Sequence, residues 1–125
     1  MVIGATYGTF DLFHIGHLRL LERAREQCDK LIVFVSTDEF NELKNKKCTI
    51  PFFERATIVE ALKCVDDVYE EKQWEQKQWD INLFNIDKVF MGDDWKGKFD
   101  DLPCEVIYLP RTKGISSTMI KEKLK

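Results

Sequence analysis

The run Leu31-Ile32-Val33-Phe34-Val35 constrains this chain more than any other feature, because every successive residue in it is apolar. It is far short of the roughly 20 such residues that a membrane-spanning helix needs. As a strand it has no polar face, so both faces must be covered, which is the situation of a parallel sheet packed between helices. The flanking sequence supplies those helices. From Gly16 onward, Leu18, Leu21, Ala24 and Cys28 recur at helical spacing, while Arg19, Glu22, Arg23 and Glu26 can face solvent. Pro51 suits the first turn of a second helix, continued by Ala56, Ile58, Val59, Ala61 and Leu62 to about Cys64. Trp79, Leu83 and Phe84 form an apolar stripe in a third, between Trp74 and Asn85. Ser116 to Leu124 reads as a terminal helix with hydroxyl residues capping its start.

Short apolar segments separate these helices: Val2 to Tyr7, Lys30 to Val35, more weakly Asp67 to Tyr69, then Lys88 to Met91 and Glu105 to Leu109, which Pro110 stops. Strands alternating with helices imply an α/β architecture, a Rossmann-like, doubly wound, mainly parallel five-stranded sheet with helices on both faces. Ligands of such folds bind beyond the carboxyl ends of the strands, so the residues that follow each strand are the candidates for function. No linker, repeat or low-complexity segment divides the 125 residues, and a single domain over 1–125 is expected.

The 22 acidic and 19 basic residues are interspersed and leave a net charge of −3. The broad basic footprint of a nucleic-acid binder is therefore absent, and any anion site must be local. Met1 to Thr6 lacks the basic start of a secretory signal, so a cytoplasmic protein with no membrane partner is expected. Cys28, Cys48, Cys64 and Cys104 are widely spaced, with no C-x-x-C, and read as unpaired thiols of a reducing compartment.

Four clusters fall where strands end. Gly8-Thr9-Phe10-Asp11-Leu12-Phe13-His14-Ile15-Gly16-His17 joins the first strand to the first helix. A helix start there points backbone N–H groups at an anion, and Gly16 allows a phosphate to approach closely. His14 and His17 can share one face of the first turn and donate to the same phosphate oxygens, and phosphates would favour their protonated form. A zinc pair or a pair of packed core histidines competes with this reading. No cysteine or third histidine lies close in sequence to complete a metal site, so no metal-ligating residue is assigned.

The second cluster, Lys44-Asn45-Lys46-Lys47, can bring ammonium groups over the same rim, with Lys44 and Lys46 the stronger candidates. Arg55 is expected to pair with Asp38 or Asp66 as structural support, and Asp11 to support the first loop. Met91-Gly92-Asp93-Asp94-Trp95 offers close approach at Gly92, a polar contact at Asp94 and a flat face at Trp95, groups that suit a nucleoside. The last cluster, Arg111-Thr112-Lys113-Gly114-Ile115-Ser116-Ser117-Thr118, combines a guanidinium fork, a glycine turn and helix-start donors for phosphate.

The first and last clusters together resemble the cytidylyltransferase family of the nucleotidyltransferase superfamily. Ser36 to Asn41, Trp74-Glu75-Gln76-Lys77 and Met91 to Asp100 extend the resemblance over nearly the whole chain, toward the bacterial members that use glycerol 3-phosphate. The resemblance implies attack by a phosphomonoester oxygen on the α-phosphorus of CTP, with pyrophosphate leaving and no covalent enzyme intermediate. It implies CTP binding by Thr9, Phe10, His14, Ile15, Gly16, His17, Lys46, Asp94, Trp95 and the segment Arg111, Thr112, Lys113, Gly114, Ile115, Ser116, Ser117, Thr118. His14, His17, Lys44 and Arg111 would be catalytic, and Lys44 and Lys77 would hold the acceptor phosphate. Mg²⁺ would be carried mainly by the CTP phosphates, the protein would be a homodimer, and the product would feed cell-wall or capsule polymers.

Ile15 stands where these members often carry tryptophan, and Ser117 where threonine is usual. Cys48 to Phe53 is more apolar than in the glycerol enzymes and follows the acceptor lysines. An acceptor such as phosphoglutamine is therefore the alternative to glycerol 3-phosphate. A CTP-binding module without catalysis is the alternative of another class.

Overall fold

The computed structural model describes residues 1–110. Its strands β1 (Ile3–Gly8), β2 (Lys30–Ser36), β3 (Asp67–Glu71), β4 (Lys88–Gly92) and β5 (Glu105–Leu109) form one sheet in the order β3-β2-β1-β4-β5. Every neighbouring pair is parallel. The expected α/β architecture is present, and the described sheet is parallel throughout rather than mainly so.

The apolar run in β2 explains the layering. Leu31, Val33 and Val35 point into a core with Leu21 and Ala24 of α1 (Ile15–Glu26) and Val59 of α3 (Phe52–Glu60). Ile32 and Phe34 point the opposite way, toward Ile81 of α4 (Gln76–Leu83). Full burial of each such side chain contributes roughly 1.5–3 kcal/mol, which only a two-sided cover can supply for five successive residues. On β1, Gly4 provides the close approach: a Cβ there would lie 2.7 Å from Phe90 Cε2 and 2.8 Å from Cys28 Sγ. The end of α1 can close on the sheet because nothing projects from that position.

With α1 and α3 on one face and α4 on the other, the connections diverge between β1 and β4, and a crevice opens at the carboxyl ends of the central strands. That crevice positions the site. A short helix, α2 (Asp38–Leu43), intervenes between β2 and the lysine cluster. Sequence periodicity passes over it because six residues are too few to show a repeat, although Thr37 caps it by accepting from Phe40 N at 3.1 Å.

Two expectations are corrected. The second predicted helix ends at Glu60, with Ala61 as its C-cap, well before Cys64. Of the predicted apolar stripe on α4 only Phe84, at its C-cap, packs against the core: Trp79 is 58% and Leu83 73% exposed, while Lys77, Asp80 and Ile81 are buried. The polar members of that buried face have partners inside, since Lys77 meets Glu71 and Asp80 accepts from the Tyr7 hydroxyl. The predicted terminal helix lies outside the described residues.

Candidate active site

The loop after β1 is held by a buried acid and a buried base. Phe10 and Leu12 have φ of 54° and 48°, left-handed backbone that costs an ordinary side chain about 1 kcal/mol or more. Asp11 stabilises the turn by accepting from Leu12 N at 3.1 Å, Thr49 N at 2.8 Å and Ile50 N at 2.9 Å. Arg55 is fully enclosed and donates to Thr9 O at 2.7 Å, Ile50 O at 2.9 Å and Asp38 Oδ1 at 2.8 Å. The Phe52 N–H and then Arg55 hold the Asp38 carboxyl below the usual range. Of the two partners considered for Arg55, Asp38 is the one used. Asp66 instead accepts from Leu31 N at 2.7 Å and pairs with Arg25 at 3.3 Å, at the amino end of β2, away from the crevice. It supports the sheet rather than the site.

The two histidines form the start of α1. His14 is the N-cap and accepts at Nδ1 from Gly16 N at 3.0 Å, while His17 accepts at Nδ1 from His14 N at 3.2 Å. Their rings stack with centroids 3.9 Å apart. An imidazole whose Nδ1 accepts carries its neutral-state proton on Nε2, so each ring keeps an Nε2–H donor. Burial lowers the affinity of both rings for a second proton. His17 is pushed down to about 4, by burial first and then by His14, against a smaller opposing pull from Asp11. The protein itself thus biases the pair toward the neutral form, opposite to the bias phosphates would exert.

The crevice holds a second polar group set. Lys77 Nζ donates to Glu71 Oε2 at 2.7 Å, with both side chains almost fully buried. Ser36 Oγ donates to Glu71 Oε1 at 2.9 Å and accepts from Lys44 Nζ at 3.3 Å. Lys77 lies 4.6 Å from the centroid of Tyr7 and 5.3 Å from that of Trp74, and Lys44 lies 4.3 Å from Phe40 and 5.3 Å from the same Trp74. Aromatic faces therefore hold both ammonium groups in place. Burial lowers the Lys44 pKa, with Glu71 opposing that trend.

These sets share one cavity of about 550 Å³, within the range of small-molecule sites. It brings together Thr9, Phe10, Asp11, His14, Gly16, His17, Lys44, Lys46, Lys77, Asp94 and Trp95 from the sequence reading. Gly92 also lines it, and a Cβ added there would meet nothing within 4 Å, leaving room for a flat group against the backbone. Exposed Ile15 is not among the lining residues. Asp38 and Arg55 stand behind the lining as supports. Arg111, Thr112, Lys113, Gly114, Ile115, Ser116, Ser117 and Thr118 lie outside the described residues; Pro110, immediately before them, lines the cavity.

Residues 5–123 match the family model described as Cytidylyltransferase-like. The chain belongs to the cytidylyltransferase-like family. It is 57% identical over 121 residues to a glycerol-3-phosphate cytidylyltransferase of Bacillus subtilis, covering 95% of this chain and 94% of that one. It is 53% identical to the protein of the same description from Staphylococcus aureus, over 95% of this chain and 92% of the relative. A lipopolysaccharide core biosynthesis protein from Thermoplasma volcanium shares the fold, with TM-score 0.74, 22% identity, and coverage of 90% of this chain and 98% of that one.

In this cytidylyltransferase Tyr7, Ser36, Glu71, Trp74 and Phe99 also line the cavity; the sequence assigns none of them a site role, although Ser36, Trp74 and Phe99 stand in segments that carry the resemblance. Ser36 and Glu71 carry a signal that could have found them. Each is a polar residue closing a strand, at the carboxyl edge where ligands of parallel sheets gather. Trp74 and Phe99 lie outside regular elements, and their only mark is that they fall in the segments Trp74-Glu75-Gln76-Lys77 and Met91 to Asp100 that carry the resemblance.

Proposed function

We propose that this cytidylyltransferase transfers CMP from CTP to the phosphate of glycerol 3-phosphate, releasing pyrophosphate and forming a CDP-linked glycerol. The observation that carries the reading is the single cavity lined both by His14 and His17, each with an Nε2–H donor, and by Lys44 and Lys77, which Ser36 and Glu71 hold in place. Thr9, Phe10, Gly16 and Lys46, with Arg111 to Thr118, bind the CTP phosphates, and Asp94 and Trp95 with bare Gly92 accommodate the nucleoside. Lys44 and Lys77 hold the acceptor phosphate.

An acceptor phosphate oxygen supplies the electron pair for the new bond to the α-phosphorus. The bond from that phosphorus to the β-phosphate bridging oxygen breaks, and pyrophosphate leaves with the pair. No proton transfer is needed, so the protein's work is to position two polyanions and stabilise charge on the reacting phosphorus. Neutral histidines suit this because they donate without having to lose a proton.

Mg²⁺ would arrive on the CTP phosphates and neutralise part of their charge. The donor set fits an ion carried by the substrate, since Asp11 already accepts from three backbone amides and Glu71 from Ser36 and Lys77. The same reading includes a cytoplasmic homodimer whose product feeds cell-wall or capsule polymers. A coupled pyrophosphate assay tests the reaction. Release should require CTP and glycerol 3-phosphate together, and release with ATP but not CTP would refute the base assignment. Preference for phosphoglutamine would refute the acceptor.

A further inference from the structure

The acceptor half of the cavity contains an anion where its ligand is itself an anion. Glu71 closes β3, is 3% exposed and lines the cavity. Its carboxylate meets Lys77 directly and Lys44 through the Ser36 hydroxyl. Phosphate binding alone gains nothing from this, because a carboxylate between two cations weakens their attraction for an anion. Offsetting the buried charge of Lys77 accounts for Oε2, but not for the reach of Oε1 through Ser36 to Lys44. The carboxylate does, however, limit how much negative charge the subsite accepts.

We propose that Glu71 is a specificity-determining residue. With Lys44 and Lys77 it holds the acceptor subsite to one net positive charge, so that polyol monophosphates are used and phosphorylated acids with an additional carboxylate are rejected. The proposal rests on the acceptor reading given above. A three-carbon acceptor held by its phosphate at these lysines keeps its far end within electrostatic range of Glu71, because charges interact over roughly 8 Å even in physiological salt. Because Glu71 is buried and little screened, an effective dielectric of about 20 makes a like charge at roughly that range shift affinity by tenfold or more. A hydroxyl at the same place meets no such repulsion and can donate to a carboxylate.

The test compares kcat/KM for glycerol 3-phosphate with that for 3-phosphoglycerate, which differs by a carboxylate in place of a hydroxymethyl group. Glu71→Gln keeps the shape and one carbonyl acceptor, for Lys77, while its NH2 can donate to the Ser36 hydroxyl, and it removes the charge. The ratio of 3-phosphoglycerate to glycerol 3-phosphate should rise at least tenfold over wild type; a smaller change overturns the proposal. General structural damage would lower both substrates together and leave the ratio alone. Should circular dichroism find the variant unfolded, wild type is assayed with 3-phosphoglycerate and its carboxyl methyl ester. Use of the ester at least tenfold better is expected, and a lesser preference overturns the role. No turnover of glycerol 3-phosphate by wild type would defeat the acceptor reading and this inference with it, whereas good turnover with an unmoved ratio defeats only the role of Glu71.

Discussion

Acidification should destabilise this protein through His17, and the size of the effect follows from its environment. His17 is held neutral, with its pKa pushed down to about 4, chiefly by burial, while the unfolded chain titrates near 6.5. The folded value is depressed, so the contribution is fully present above pH 6.5 and is lost as pH falls toward 4. Each tenfold difference in proton affinity corresponds to about 1.4 kcal/mol, so the loss across that window is about 3 kcal/mol. That is a large part of the stability of a typical small domain.

His17→Gln isolates the effect. Glutamine at this third helical position can still accept from the His14 N–H, as in a capping box, but it does not titrate. Urea unfolding followed by circular dichroism at pH 7.5 and pH 4 should show wild type losing about 3 kcal/mol more than the variant. Proton NMR of the imidazoles provides the direct check. A His17 resonance titrating near 6.5 in the folded protein, or equal acid losses in both proteins, would refute the reasoning.

Arg55→Ala should cost about 3 kcal/mol, because it leaves the Thr9 and Ile50 carbonyls without their buried donor and breaks the contact to Asp38. A urea midpoint corresponding to a loss under about 1 kcal/mol would contradict that role. Lys44→Gln should raise KM for glycerol 3-phosphate ten- to a hundredfold while leaving KM for CTP nearly unchanged, since charged hydrogen bonds contribute about 1.5–3 kcal/mol. Steady-state kinetics with each substrate varied in turn separates the two, and an effect confined to CTP would move Lys44 to the nucleotide side.

The legible parts of the molecule are those where one residue's chemistry decides its surroundings locally. Successive apolar residues in β2 demand two-sided cover, so the parallel sheet and its flanking helices follow from the sequence. The loop from Gly8 to His17 is legible for the same reason, because a strand-to-helix turn with two histidines announces a phosphate site. By contrast, α4 defeats pattern reading. Its buried face carries Lys77 and Asp80, whose partners come from β3 and β1. Hydrophobic periodicity cannot identify a buried ionisable residue whose counter-charge is supplied by another element.

The sequence by itself therefore determined the architecture, the family resemblance and the residues offered to phosphate. Only the tertiary structure decided their electrical state. Burial and backbone donors at Nδ1 bias His14 and His17 toward neutrality, and the arrival of Glu71 from β3 offsets one of the two lysines it faces. Charge in a site depends on desolvation and on neighbours distant in the chain, neither of which a linear string of residue types records.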